Sequence, residues 1–199
     1  MSHKKNIKCE LDEFITYIDG LRNLVRYQTA PRAAKESVAE HSFFVASYVL
    51  KLHDYYEFDL KKGLRLALLH DFSEVFISDV PHPIKKRFPN ITNELEKAEH
   101  QINAEYIGEE FASELEEFNQ TSTIEGIIVA LADILSVVSY AKFEMELGNS
   151  KYMQNVYRRS RERYMGLLIK AEQYLRKDES GNGTKTPGEL NSPGAVYRG

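Results

Sequence analysis

The stretch Leu66-Ala67-Leu68-Leu69-His70-Asp71-Phe72-Ser73-Glu74 is a run of helix-forming apolar residues that ends in an imidazole, two carboxylates and a hydroxyl. An uncompensated charge in an apolar setting is strongly unfavourable, so buried carboxylates are paired, hydrogen-bonded or bound to a metal. Asp133 raises the same question. It interrupts Ile127-Ile128-Val129-Ala130-Leu131-Ala132 and is followed by Ile134-Leu135, so nearly every neighbour is apolar. His41 supplies a further imidazole. Imidazole and carboxylate together suit divalent first-row metals such as Mn, Fe, Co, Ni or Zn, and the lack of thiolates argues against a soft-metal site. Each residue taken singly has another use. Asp133 can be satisfied by a serine or a helix amide. His41 can be a solvent-edge residue, and His70-Asp71 an ordinary helix end, where the dipole favours the histidine and not the aspartate. His3, His53 and His100 stand in polar contexts and read as surface residues.

Helices must carry these groups. Leu11, Phe14, Ile15 and Ile18 follow helical spacing over Glu10 to Gly20. Arg22 to Arg32, with three arginines, Tyr27 and Pro31, reads as a short helix running into a loop. Ser37-Val38-Ala39-Glu40 matches a capping box, which puts His41 in the first turn of a helix reaching about His53. Asp59 caps the next, with Leu60, Leu64, Ala67 and Leu68 facing the core and His70-Asp71 at its end. Glu74, one turn beyond His70, projects to the same face. Pro81, Pro83 and Pro89 make Ile77 to Pro89 a shaped loop. A charged helix is expected from Thr92 or Asn93 to about Asn119. A mostly apolar one follows from Thr123 to about Leu147, and a last charged one covers about Lys151 to Arg176. Gly, Ser, Thr, Asn and Pro dominate from Asp178 to Gly199, as in flexible tails. No strand pair or repeat is evident, so the class is all-α, with one domain over residues 1–177 and a disordered tail over 178–199.

A chain of 199 residues with 42% hydrophobic and 28% charged residues is long enough for one substantial core. A net charge of −4 provides no overall basic field, which argues against a long nucleic acid as partner. The single cysteine, Cys9, excludes an intramolecular disulfide and any multi-cysteine zinc site. No apolar run approaches the roughly 20 residues needed to span a bilayer, and no signal segment opens the chain. The expectation is a cytoplasmic protein without a membrane partner.

The order His41, His70-Asp71, Asp133 on successive helices resembles the H…HD…D signature of the HD-domain metal-dependent phosphohydrolases. More narrowly, five blocks are similar to the bacterial 5'-deoxynucleotidase (YfbR-like) branch. They are Arg26-Tyr27, Val38-Ala39-Glu40-His41-Ser42, His70-Asp71-Phe72-Ser73-Glu74-Val75, Asp79-Val80-Pro81-His82-Pro83-Ile84-Lys85 and Ala132-Asp133. The resemblance spans roughly Leu21 to Glu146. It implies a helical HD-domain bundle in which His41, His70, Asp71 and Asp133 bind one divalent cation (Co, Mn, Zn, Fe, Ni or Mg). His41, Asp71 and Asp133 would also meet the substrate there. It implies that Arg26 orients the phosphate, that Glu74 handles the attacking water, and that Asp79 shares in catalysis. Tyr27 and the loop Asp79, Val80, Pro81 and His82 would contact sugar and base. The implied reaction is metal-assisted hydrolysis of a deoxynucleoside 5'-monophosphate by a homodimer, with Tyr157 and Tyr164 on the last helix as a candidate interface.

Two departures bear on sugar selection. Tyr27 stands where the family commonly has tryptophan, and His82 where a small polar residue is usual. A triphosphohydrolase using the same metal site is the alternative within enzymes, with Lys35, Lys85, Lys86 and Arg87 as cations for extra phosphates. A non-catalytic nucleotide-binding regulatory module is the alternative outside them, opposed by the presence of all four ligands and Glu74.

Overall fold

The computed structural model describes residues 7–181, which form nine helices and one isolated antiparallel bridge, Val25 to Ser37. The first is α1 (Ile7–Leu21). Next comes α2 (Val38–Leu52), opened by the expected capping box: Ser37 Oγ accepts from the Glu40 amide, and Glu40 accepts from the Ser37 amide at 2.7 Å. α3 (Leu60–Leu69) is capped by Asp59, which accepts from the Lys62 amide at 3.1 Å, and His70 sits at its C-terminus. The short α4 (Glu74–Ile77) and α5 (His82–Arg87) follow, then α6 (Pro89–Tyr106), α7 (Glu109–Gln120), α8 (Ile124–Glu146) and α9 (Ser150–Gly181). Residues 182–199 lie outside the described residues, and so do the side chains of His82, Pro83 and Lys86.

Several boundaries differ from expectation for identifiable reasons. Arg22 to Arg32 is not helical; the Arg26 and Val38 amides bond instead to the Glu36 and Leu24 carbonyls, and Tyr27 has φ 56°. The charged stretch after Pro89 is two helices, broken at Gly108, whose φ of 132° no helix tolerates. Proline shortens the loop before it less than expected, because Pro83 and Pro89 occupy first turns, where the missing amide costs no helical bond. α9 continues through Asp178 to Gly181, beyond the expected end at Arg176.

α8 is the axis of the bundle. It packs on α2, α3, α7 and α9, and residues 126–132 are buried without interruption. It is also long and apolar enough to cross a membrane, which was not anticipated; here that apolarity is spent on neighbouring helices. The main core joins Val45 and Val49 of α2, Leu66 of α3, Phe111 and Leu115 of α7 and Val129 of α8. α1 adds an aromatic brace: Phe14 and Tyr17 pack on Phe72, and Tyr17 also meets Phe76 and Tyr106. This brace holds the turn between α3 and α4.

Where α7 meets the start of α8 the backbones nearly touch. A Cβ added at Gly126 would lie 2.9 Å from the Glu117 carbonyl oxygen and 3.1 Å from Phe118 Cα. Gly126→Ala is therefore expected to destabilise the protein by about 1–3 kcal/mol, read as a lower denaturation midpoint; an unchanged midpoint would show that the two helices can part freely.

Candidate metal centre and active site

Three helices converge on one small volume. His41 comes from the first turn of α2, His70 and Asp71 from the end of α3, and Asp133 from the middle of α8. One ligand atom from each of His41, His70 and Asp133 lies within 4.8 Å of the others. His41 Nε2 is 3.2 Å from Asp133 Oδ1 and 3.8 Å from Asp71 Oδ2, and His70 Nε2 is 3.2 Å from the same Asp71 oxygen. Both imidazoles are buried, and neither Nε2 has a hydrogen bond of acceptable geometry. Two buried nitrogens aimed at two carboxylates without bonding them well fit a divalent cation as the missing partner.

The far side of each imidazole sets its tautomer. His70 Nδ1 lies 3.1 Å from the Ala67 carbonyl, which can only accept, so the proton sits on Nδ1 and Nε2 faces the centre. His41 Nδ1 has two neighbours, Ser136 Oγ at 3.0 Å and Arg26 Nη1 at 2.5 Å. Once Nε2 is given to a cation, Nδ1 must carry the proton, and Ser136 can accept it. Arg26 brings only donors, so its contact belongs to the cation-free protein.

Arg26 also donates to Glu36 Oε2 at 3.1 Å, and both side chains are nearly buried. Burial works against the guanidinium charge, but Tyr27, Asp71, Glu36 and Asp133 outweigh it and Arg26 stays charged. Burial raises Glu36, against the pull of Arg26. Glu74 is pushed up to about 9 by burial and by the charges of Asp71 and Asp79. Asp79 acts on Tyr27 as well, whose hydroxyl burial raises to about 12. Arg26 thus touches His41 of the His/His/Asp cluster, and Glu74 has Asp71 and Asp79 as neighbouring charges. Glu74 arrives there on its own short helix rather than as a continuation of α3. Ser78 precedes Asp79 with φ 64°, so strained backbone adjoins the site at Tyr27 and at Ser78. Val80 and Pro81 are half-buried in the link from α4 to α5.

Glu36 and Ser136 were not anticipated from the sequence. Glu36 has no motif around it, and Ser136 was recoverable only as the residue one turn after Asp133. Of the expected phosphate cations whose side chains are described, Lys85 pairs with Glu99 at 3.3 Å, Arg87 lies over the Phe88 ring and Lys35 is exposed. Size alone misleads here. A wide depression of about 720 Å³ lies along α6 among Asn93, Glu96, Lys97 and His100, and none of His41, His70, Asp71 or Asp133 lines it.

An all-helical bundle with this His, His-Asp, Asp quartet defines an HD-domain phosphohydrolase. Residues 13–175 match the 5'-deoxynucleotidase YfbR-like family, and the chain belongs to it. It is 30% identical over 156 residues to a 5'-deoxynucleotidase of Pasteurella multocida, covering 72% of this chain and 80% of that protein. It is 30% identical over 153 residues to one of Vibrio vulnificus, covering 70% and 78%. Among solved structures, a conserved hypothetical protein of Pyrococcus furiosus superposes with TM-score 0.69 at 28% identity, covering 85% of this chain and 97% of that one. An HD-domain phosphohydrolase of Listeria innocua shares the fold, with TM-score 0.65 at 22% identity over 87% and 90% of the two chains.

Two tests follow from the geometry. Ser136→Ala should weaken metal binding roughly 10- to 100-fold in a folded protein, measured by competition with a chromophoric chelator; unchanged affinity would remove Ser136 from the support of His41. The second concerns pH. Burial lowers His70, but Asp71 and then Asp133 outweigh it and raise the imidazole to about 9. That contribution to stability is complete below the ordinary value of 6.5 and is lost as pH rises through about 9. Glu74, raised from 4.5 to about 9, acts in the same direction. His41, lowered to about 4 by burial and Arg26, loses stability only on the acid side. With chelator present, the thermal midpoint should therefore fall between pH 6.5 and pH 9. A midpoint that rises over that interval would overturn this charge assignment.

Proposed function

We propose that this protein hydrolyses deoxyribonucleoside 5'-monophosphates to deoxynucleoside and phosphate, using one divalent cation held by His41, His70, Asp71 and Asp133. The observation that carries the reading is the meeting of those four groups with a charged Arg26 and a neutral, buried Glu74, in a chain of the 5'-deoxynucleotidase family. When bound, the cation supplies the charge that polarises the phosphoryl group and acidifies a water. Arg26 contributes a fixed guanidinium for phosphate oxygens. Glu74 lies beside Asp71 and Asp79 and, once their charge is offset, is the carboxylate that takes a proton from the attacking water. Asp79 restrains Glu74 electrostatically and shares the nucleoside side of the site with Tyr27, Val80 and Pro81.

The metal is one of Co, Mn, Zn, Fe, Ni or Mg, and the nitrogen-rich ligand set favours a first-row ion over Mg. A monophosphate fits better than a triphosphate, because Lys85 is already engaged by Glu99 and Arg87 lies over the Phe88 ring. With tyrosine at position 27, discrimination against a 2'-hydroxyl is expected to be relaxed. We propose a cytoplasmic location, supported by a single cysteine that suits a reducing compartment. We also propose a homodimer, now across α2 rather than α9. Tyr157 and Tyr164 pack against the chain's own core, whereas Phe43, Phe44 and Leu50 of α2 are exposed with Phe143 of α8.

Metal-stripped protein resupplied with Co, Mn or Mg should release orthophosphate from dAMP, and at a comparable rate from AMP. Triphosphate released from dATP would transfer the reading to the triphosphohydrolase, and bound nucleotide without turnover to the regulatory module. Glu74→Gln should lower kcat roughly 100- to 10,000-fold with metal still bound, whereas Asp71→Ala should lose metal and turnover together. Full activity in either variant removes the assigned role.

A further inference from the structure

The segment between α1 and α2 is a loop closed at its neck and pinned at its tip. At the neck the Arg26 amide donates to the Glu36 carbonyl at 2.9 Å and the Val38 amide to the Leu24 carbonyl at 2.9 Å. Tyr27 holds its left-handed backbone there, and its carbonyl accepts from Arg32 Nη1 at 2.9 Å. At the tip stands Glu144, fully buried on the last turn of α8. Its Oε2 accepts the Ala33 amide at 2.8 Å and its Oε1 the Ala34 amide at 2.6 Å. Asn149 Nδ2 donates to Glu144 Oε2 at 2.7 Å and to the Pro31 carbonyl at 2.9 Å. The Tyr140 hydroxyl is 3.2 Å from Glu144 Oε1 and 2.9 Å from the Ala34 carbonyl, and its ring stacks on Tyr27 at 5.1 Å with 11° between planes.

A buried carboxylate satisfied by amides and a hydroxyl, with no cation among the described residues beside it, is costly unless the ordering it imposes is useful. What it orders is the loop that carries Arg26 and Tyr27. Eleven residues separate Glu144 from Asp133 on the same helix, about 16 Å along its axis, so Glu144 reaches no reacting atom itself. We propose that Glu144 is a positioning residue for substrate capture: by clamping Ala33, Ala34 and Tyr140 it sets Tyr27 and Arg26 at the edge of the metal centre. This rests on the nucleotidase reading above.

Glu144→Gln replaces one acceptor oxygen with a donor that faces an amide. In the metal-loaded protein it should raise KM for dAMP by roughly tenfold or more, with kcat little changed, the pattern of lost binding rather than lost chemistry. Metal content should match that of the unsubstituted protein. Glu144→Asp, still only an acceptor, should recover part of the loss. A second readout needs no turnover. The chain contains no tryptophan, so Tyr27→Trp places a sole tryptophan, excited selectively over the tyrosines, at the loop neck. Adding Glu144→Gln to it should increase acrylamide quenching. Unchanged KM with unchanged quenching overturns the proposal, as does loss of metal from a folded variant. Should Glu144→Gln fail to fold, Tyr140→Phe keeps the stack and removes the hydroxyl; a smaller KM increase supports the clamp, and no change in KM or quenching overturns it. If the parent protein hydrolyses no nucleotide, the nucleotidase reading falls and the quenching comparison alone decides the clamp.

Discussion

The structure depends on the meeting of His41, His70 and Asp133, whose ligand atoms lie within 4.8 Å of one another, with Asp71 3.2 Å from His70 and 3.8 Å from His41. Like charges so close repel, and the apolar helices that bring them together remove the water that would soften the repulsion. Something positive must enter. Arg26 and His70 supply such charge from the chain itself, and Asp71 and Asp133 stay ionised despite burial. Burial raises both carboxyls, but His70 and His41 respectively, with Arg26, hold them below the usual range. The site is therefore built for a cation before it is built for a substrate.

Rigidity at this point comes from how the chain surrounds α8. Its unbroken buried run fixes Asp133, while α2 and α3 lie against it and bring His41 from the N-terminus of one and His70 from the C-terminus of the other. The fourth side is closed by pieces that are not long helices. The aromatic brace from α1 holds the turn into α4 and hence Glu74, and the loop before α2 presents Arg26. These pieces adjoin the two non-glycine residues with positive φ nearest the site, Tyr27 and Ser78. Strain there is sustainable because stacking, ion pairs and buried hydrogen bonds over-determine the backbone on either side.

That division also governs what was legible in the sequence. Ser37, Asp59 and Thr123 announce helix starts through local chemistry, and each does cap its helix. The four ligands stood out because polar groups in apolar helices demand partners. Local pattern failed where tertiary contacts decide the backbone. Arg22 to Arg32 looked helical in composition, yet its backbone is tied to Glu36 and Val38 and, through the Pro31 carbonyl, to Asn149 over a hundred residues away. Gly108 was the only mark of the break between α6 and α7. Tyr157 and Tyr164 could equally have faced a partner or the core, and only packing decided for the core. Ser136 and Glu36 carry no motif of their own, since their roles consist of touching residues that do.

The two neighbours of His41 Nδ1 tie metal loading to phosphate recognition. While Arg26 donates to that nitrogen, the ring's proton lies on Nε2, the atom a cation requires. Coordination demands the opposite tautomer, in which Nδ1 donates to Ser136 and offers Arg26 nothing. In that tautomer Glu36 would be the acceptor that holds Arg26, on a loop pinned from behind. A cation held by His41, His70, Asp71 and Asp133 would thus leave donors of the same guanidinium free for an anion with several acceptor oxygens, the form in which an arginine grips phosphate.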